Sequence, residues 1–137
     1  MRVDPRAQIA GAALALIGCP FKLHGRTSKA GIDCVGLVAL ALAETGQRFD
    51  IPCDYALRGD YLGRISAFFD RSEFAIVNDG QVEHGDILLS IAGPRQVHFL
   101  IATMEGAVHA HAGLRRVVLT PHPLPWPIVS HWRFIGD

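Results

Sequence analysis

The spacing of apolar and polar residues predicts helices in the first third of the chain. Apolar side chains recur at helical intervals over residues 5–17 and again over residues 34–45. Asp4 is a suitable N-cap for the first helix and Pro5 a suitable first helical residue. Gly46 ends the second helix, since glycine adopts the left-handed conformation that terminates helices.

A third, shorter helix is predicted over "GDYLGRISAFFDR", residues 59–71. Its four large apolar side chains, Leu62, Ile65, Phe68 and Phe69, fall on one helical face. By contrast, "CPFKLHGRTSKAGI", which lies between the first two helices, is rich in glycine and polar residues and is predicted to be a loop.

The second half of the chain changes to short apolar runs separated by glycine, proline or charged residues. These runs predict the strands of an antiparallel meander: "GDILLSIA", "QVHFLIAT", "GAVHAH", "LRRVVLT" and "SHWRFIG". Helices followed by strands are typical of the α+β class, so we expect N-terminal helices packed on a C-terminal antiparallel β-sheet. The length of 137 residues suits one domain over residues 1–137.

Composition narrows the range of functions. Lysine plus arginine and aspartate plus glutamate both number 13, so no basic excess favours nucleic acid as a partner. No apolar run is long enough for stable membrane insertion. The run "AQIAGAALALIGC" resembles a lipoprotein signal that ends at Cys19, which is the alternative to a first helix. The start "MRVDPR" is a poor basic region for a signal peptide, so we expect a soluble first helix there. Three cysteines without a CxxC pair argue against a disulfide framework or a zinc ribbon.

Cys34 is the residue whose position most suggests chemistry. In "GIDCVGLV", Asp33 is a plausible N-cap and Cys34 begins the second helix. A thiol in the first turn is close to unpaired backbone N–H groups and to the positive end of the helix dipole. We therefore expect a pKa below the usual value of about 8.5 and a reactive thiolate.

Histidines in two predicted strands are candidate partners of such a thiol. His98 lies in "QVHFLIAT", on the strand face opposite that of Phe99, and is a candidate general base. His109 and His111, two residues apart, share one face of the next strand. One of these two could bond the far ring nitrogen of His98 and fix its tautomer, and the spacing leaves the choice open.

Five segments together resemble the NlpC-type family of papain-like cell-wall cysteine peptidases. "GIDCVGLV" is similar to its nucleophile motif, and "LIGCPFKLHGRTSKAGIDC" to the segment that precedes it. "HGDILL", "VHFLIA" and "GAVHAHAG" resemble three of its strands, the last two bearing the base and the third polar residue.

The resemblance implies a papain-like core and hydrolysis of amide bonds in the peptide stems of peptidoglycan, without a cofactor or a metal. It implies a Cys-His-His triad in which His109 orients the base and His111 is the alternative. The catalytic residues are then Cys34, His98 and His109. The residues expected to contact substrate are Phe21, His24, Asp33 and His111.

This chain departs from the family pattern at three positions. Phe21 stands where the family usually has tyrosine, and His24 and Phe99 replace glycines. The compact chain and its "HWRF" ending resemble family versions from phages and gene-transfer agents. That likeness implies phage-like tail proteins as partners, a cytoplasmic location before particle assembly, and action at the cell wall or periplasm.

Three other functions are compatible with the same residues. Cys34, His98 and one of the two following histidines could bind zinc, although no HExxH pattern is present. A structural or wall-binding module of a phage-like particle could keep the fold without activity. An acyltransferase could pass the same thioester to an amine or a lipid instead of water.

Overall fold

The computed structural model describes residues 4–47, 49, 51, 66–93 and 96–136. Two α-helices, α1 (Pro5–Ala15) and α2 (Cys34–Ala43), pack on one face of an antiparallel sheet. Both helices begin at the predicted residue. Asp4 and Asp33 are their N-caps, and each side chain accepts a backbone N–H of the first turn. In the described part of the chain, no helix is long and apolar enough to cross a bilayer.

Six strands form the sheet, and the five predicted meander strands are among them. In chain order the strands are β3 (Phe74–Ile76), β4 (Ile87–Gly93), β5 (Gln96–Ala102), β6 (Ala107–His111), β7 (Arg116–Thr120) and β8 (Ile128–Phe134). Their spatial order is β3-β8-β4-β5-β6-β7, and every neighbouring pair is antiparallel. The α+β prediction is therefore confirmed, but the predicted meander covers only β4 to β7, because β8 returns to pair with β4 and β3 instead of β7.

Two features of the architecture were not predicted. Strand β3 at one edge of the sheet pairs with the last strand, β8. A small hairpin, β1 (Arg26–Thr27) and β2 (Gly31–Ile32), forms inside the segment predicted as a loop. The predicted helix over 59–71 lies mostly outside the described residues, of which 66–68 are helical.

The two faces of the sheet bury different clusters. The face toward α1 and α2 contributes Phe99 and Ile101 of β5 to the main core, with Val108 of β6. The opposite face holds a smaller cluster of Leu88, Leu100, Ala102 and Ala107, against which Leu124 and Trp126 of the 121–127 connection pack. The strict alternation of β5 therefore places His98 on the same face as Leu100, as the sequence predicts.

Aromatic rings fill the end of the core near β3 and β8. The ring of Phe69 stacks on Trp132 with centroids 4.5 Å apart and meets Phe74 edge-on at 5.0 Å. Phe74 also contacts Phe134, its cross-strand partner on β8. Such pairs bury large apolar areas in defined orientations, so they fix the position of β3 on the sheet.

A buried ion-pair network joins the start of β4 to β8. The carboxylate of Asp86 is fully buried and accepts hydrogen bonds from His131 Nε2, from Arg133 Nε and Nη2, and from the backbone N–H of Glu83. Burial alone raises the pKa of Asp86, but these donors, Arg133 foremost, bring it below its ordinary value of 3.8. The carboxylate therefore stays ionised inside the fold.

Candidate active site

The first turn of α2 is fixed by the side chain of Asp33. Its fully buried carboxylate accepts the backbone N–H of Gly36 at 2.8 Å and that of His24 at 2.8 Å. Arg26 Nη1 lies 3.3 Å from the same carboxylate. Gly36 lets the turn approach the preceding loop, because a Cβ there would meet the carbonyl oxygen of Gly25. The turn that carries Cys34 is thus locked to the loop before it.

Residues 18–22 connect this helix to the sheet by running along the outer edge of β7. Gly18 donates its N–H to Val117 O, and Val117 donates to Cys19 O, both at 2.9 Å. Phe21 continues the pairing by donating to Arg115 O at 2.9 Å. Because these bonds tie the approach to the helix directly to β7, Cys34 is positioned relative to the strands that carry the histidines.

Strands β5 and β6 separate beside Cys34. Their register is two pairs long, Ile101↔Val108 and Ala102↔Ala107, whereas β4 stays paired with β5 up to Gly93↔Gln96. The backbone N–H of Phe99 hydrogen-bonds the Cys34 sulfur. The sulfur therefore lies at the backbone of β5, next to the residue that follows His98.

The ionisation of Cys34 differs from the prediction. Burial raises the pKa of Cys34 to about 11, although hydrogen bonds from the N–H groups of Phe99, Val35 and Cys34 itself favour the thiolate. The charge of Asp33 raises it further. The expected pKa below 8.5 is wrong because the side chain is only 3% exposed, and three N–H groups do not replace the water it has lost. At neutral pH the group is a thiol.

The structure brings the three predicted histidines together. The ring centroids of His98 and His109 are 6.2 Å apart, and those of His109 and His111 are 5.8 Å apart. Trp126 contacts both of the first two, edge-on to His109 at 5.2 Å and tilted toward His98 at 6.3 Å. His98 directly precedes Phe99, whose backbone N–H bonds the Cys34 sulfur, so the first of these histidines is adjacent in the chain to a residue that contacts the thiol.

Burial keeps the inner imidazoles neutral. It lowers the pKa of His98 below 6.5, with a smaller contribution from the nearby charge of His111. The pKa of His109 falls to about 4, again mainly through burial and then through His98 and His111. Both rings can therefore act as proton acceptors at neutral pH, and His98 is the more exposed of the two.

The remaining predicted site residues differ in their exposure and in their hydrogen bonds. Phe21 is half-buried against the core and lies beside Ile32. His24 is exposed, with a positive φ of 62°, and its N–H is used by Asp33. His111 is half-buried and its Nδ1 accepts the N–H of Leu114 at 3.0 Å.

Two polar neighbours of the histidines were not singled out from the sequence. Thr120 of β7 lies 2.8 Å through its Oγ1 from His109 Nε2. Ser90 of β4 is the cross-strand partner of His98, and its buried hydroxyl has no hydrogen-bond partner among the described residues. Both lie in strands, where the predicted alternation places them on the histidine face, and that pattern is the signal that could have found them.

The zinc site considered from the sequence gains no support from the geometry. Within the described residues, no three side chains of histidine, cysteine, aspartate or glutamate are grouped so that they could hold a metal ion.

Loss of the Asp33 carboxylate is expected to destabilise the fold. An Asp33→Ala variant removes the acceptor of two backbone N–H groups, the buried one of Gly36 and that of His24. We therefore expect a loss of about 2 kcal/mol in the free energy of unfolding. Urea denaturation measures this loss. Asp4→Ala, which removes the exposed N-cap of α1, is the matched control and should cost less. Equal losses would contradict the role given to the buried cap.

Comparison with known proteins agrees with this architecture at the level of fold. No family model matches the sequence, and no curated protein matches it. Among solved structures, NlpC1 from Trichomonas vaginalis superposes with a TM-score of 0.71 at 16% identity, covering 97% of this chain and 46% of its own. The NlpC/p60 domain of the peptidoglycan hydrolase SagA superposes with a TM-score of 0.62 at 22% identity, covering 92% and 97%. The chain has the NlpC/P60 fold.

A third NlpC/P60 structure limits what the fold alone implies. RipD from Mycobacterium tuberculosis is described as a non-catalytic NlpC/p60 domain protein adapted to peptidoglycan binding. It superposes with a TM-score of 0.64 at 16% identity, covering 98% of this chain and 99% of its own. This chain also spans only about half the length of the T. vaginalis proteins NlpC1 and NlpC2. The NlpC/P60 fold is thus shared by hydrolases and by a binding protein.

Proposed function

We propose that this chain is a cysteine peptidase of the NlpC/P60 type that hydrolyses amide bonds in the peptide stems of bacterial peptidoglycan. Cys34 is the nucleophile, His98 the general base and His109 the residue that orients the base. One observation carries the proposal: the Cys34 sulfur accepts a hydrogen bond from the backbone N–H of Phe99, the residue that directly follows His98. The fold shared with the hydrolase SagA supports peptidoglycan as the substrate.

The ionisation of the two groups defines the order of proton transfers. The resting pair is a neutral thiol and a neutral imidazole, because burial raises the pKa of Cys34 and lowers that of His98. His98 removes the thiol proton as the sulfur attacks the scissile carbonyl carbon, and then gives that proton to the leaving amine. It next activates water, which hydrolyses the thioester and regenerates the thiol.

The developing oxyanion needs hydrogen-bond donors at the start of α2. The backbone N–H of Cys34 is placed there and donates to no carbonyl of the helix, because first-turn N–H groups lie before the first intrahelical bond. Phe21 has no hydroxyl to add a second bond, and the N–H of His24 already donates to Asp33. In this proposal Phe21 and His24 shape the substrate site without supplying the oxyanion with a backbone donor.

The pH profile of cleavage distinguishes this mechanism from a preformed ion pair. Activity requires a neutral His98, whose pKa lies below 6.5, so kcat/KM should fall only as the pH drops below that value. With the pKa of Cys34 at about 11, the rate should stay level from about pH 6.5 to about pH 9. A thiolate–imidazolium pair would instead lose activity when the imidazolium deprotonates, so an alkaline decline inside this interval would contradict the mechanism.

Incubation with purified muropeptides tests the function itself. The expected products are two fragments whose masses together exceed the parent mass by one water, as hydrolysis of a single amide bond requires. Transfer to an added amine in place of water would identify the acyltransferase alternative. Mass spectrometry of the digest distinguishes the two and also identifies the bond that is cleaved.

A wall-binding module without activity is the second candidate function. The buried, protonated Cys34 and the likeness to RipD favour it. Retention of the protein on insoluble peptidoglycan without the release of fragments would identify this function. The attachment to a phage-like particle, with its cytoplasmic assembly and its action at the wall, is proposed on the sequence resemblance alone.

A further inference from the structure

His109 is held by a hydrogen bond at one ring nitrogen and left open at the other. The side chain is buried, with 1% of its surface exposed. Its Nε2 lies 2.8 Å from Thr120 Oγ1, whereas its Nδ1 is buried and has no partner among the described residues. The edge-on contact with Trp126 restricts rotation of the ring. A buried nitrogen without a partner is costly, so its role needs an explanation.

The protonation of this ring determines what the open nitrogen can do. With the pKa of His109 near 4, the ring is neutral at neutral pH and carries one N–H and one lone pair. If the hydrogen is on Nε2, that N–H donates to Thr120 and Nδ1 is an acceptor. If the hydrogen is on Nδ1, the two roles are exchanged. The hydroxyl of Thr120 can accept or donate, so the distance alone is compatible with both tautomers.

The proposed peptidase reaction requires the first of these tautomers, in which the hydrogen of His109 is on Nε2. This requirement rests on the proposed function. To accept the thiol proton at one nitrogen, neutral His98 must carry its own hydrogen at the other. That N–H points away from the sulfur and needs an acceptor. A neighbouring neutral histidine can accept it only at the ring nitrogen that carries no hydrogen. When His98 becomes an imidazolium, the same lone pair stabilises the new charge. Within the part of the chain that the structure describes, His109 is a neighbour of His98 with a buried ring nitrogen that has no partner.

We propose that Thr120 is a positioning residue: its hydroxyl oxygen accepts the Nε2–H of His109 and so keeps Nδ1 as the acceptor for His98. Thr120 is opposite Ala107 in the β6–β7 register, on the histidine face of the sheet. It is half-buried, so its own hydroxyl hydrogen can be donated to solvent. Thr120 thus acts on the reaction through the tautomer of His109.

Nitrogen NMR on the whole chain tests the tautomer without any substrate. Long-range ¹H–¹⁵N correlation of the labelled protein should show His109 as the Nε2–H tautomer. Thr120→Val keeps the shape of the side chain but removes the hydroxyl, so the ring should shift toward the Nδ1–H form. Thr120→Ser restores the hydroxyl and should restore the tautomer. An Nδ1–H ring in the unsubstituted protein would overturn the proposal, even if the valine variant failed to fold.

Kinetics on muropeptides provides the second readout. Thr120→Val should lower kcat by about ten-fold and leave KM nearly unchanged. This loss of rate is smaller than the loss caused when the general base itself has the wrong tautomer. Thr120→Ser should recover most of the rate. Thr45→Val is the matched control and should keep the full rate. It removes a hydroxyl that donates to Leu42 O just after the C-terminal end of α2.

The two readouts separate this inference from the proposed function. If the unsubstituted protein cleaves nothing, the peptidase proposal fails, and the NMR comparison still decides whether Thr120 sets the His109 tautomer. If cleavage occurs but Thr120→Val leaves both the tautomer and kcat unchanged, Thr120 has no positioning role and the inference is wrong.

Discussion

A Cys34→Ala variant is expected to lower the rate of muropeptide cleavage by about 10⁴-fold or more, because it removes the sulfur that forms the thioester in the proposed mechanism. The side chain is almost fully buried at the start of a capped helix, and alanine suits that position well. The fold should therefore persist, with little change in the urea midpoint. Product formation measured by mass spectrometry over long incubations gives the residual rate.

Cys19 offers a matched control for this substitution. It is also a free cysteine, half-buried and located in the segment that runs along β7. Cys19→Ala should retain the wild-type rate, since the sulfur of Cys19 has no role in the proposed mechanism. A Cys34→Ala variant that still cleaves at most of the wild-type rate would eliminate the thiol mechanism, and with it the roles given to His98 and His109.

An Asp86→Asn substitution is expected to cause the largest loss of stability, about 3–5 kcal/mol in the free energy of unfolding. It removes the negative charge that faces His131 and Arg133 in a fully buried position. The amide that replaces the carboxylate also places an N–H₂ group among groups that are already donors. Urea denaturation at neutral pH, followed by circular dichroism, measures the loss.

The loss of stability in Asp86→Asn should depend on pH, because it comes from the ionised carboxylate of Asp86. The folded-state pKa of Asp86 is below its ordinary value of 3.8, so its stabilising effect is complete above that value and disappears as the pH falls through the lower folded value. Wild-type and Asp86→Asn stabilities should therefore converge in acid. Glu73→Gln, at the ion pair with Arg71 near the surface, is the control and should change stability much less. A similar loss in both variants would contradict the importance of burial.

The α+β class followed from local patterns that are strong in this chain. Asp4 and Asp33 mark the helix starts, and the glycine-punctuated apolar runs mark five strands. Strand β3 was missed because three residues, "FAI", give too short a pattern; its position depends on contact with β8 and the aromatic core. The hairpin β1–β2 was missed for a related reason, since its two short strands are stabilised by the loop around Asp33.

The candidate site was predictable as a set of residues but not in its electrostatics. Spacing and resemblance selected Cys34, His98 and His109. The two imidazole rings lie 6.2 Å apart, and the Cys34 sulfur accepts the N–H of the residue that follows His98. The separation of β5 from β6 is a long-range feature of register, and no local pattern in "VHFLIA" or "GAVHAH" encodes it. The depth of burial that raises the pKa of Cys34 depends on the whole core, so the sequence suggested a thiolate where the structure has a thiol.

The protonated state of Cys34 has a consequence for how the protein withstands oxidants. Peroxides react with thiolates far faster than with thiols, and access to the sulfur is a second requirement. A sulfur that keeps its proton and is 3% exposed meets neither condition. Cys34 is thereby protected from sulfenic acid formation in an oxidising environment. In the proposed mechanism it becomes reactive only when a bound substrate draws its proton toward the imidazole of His98.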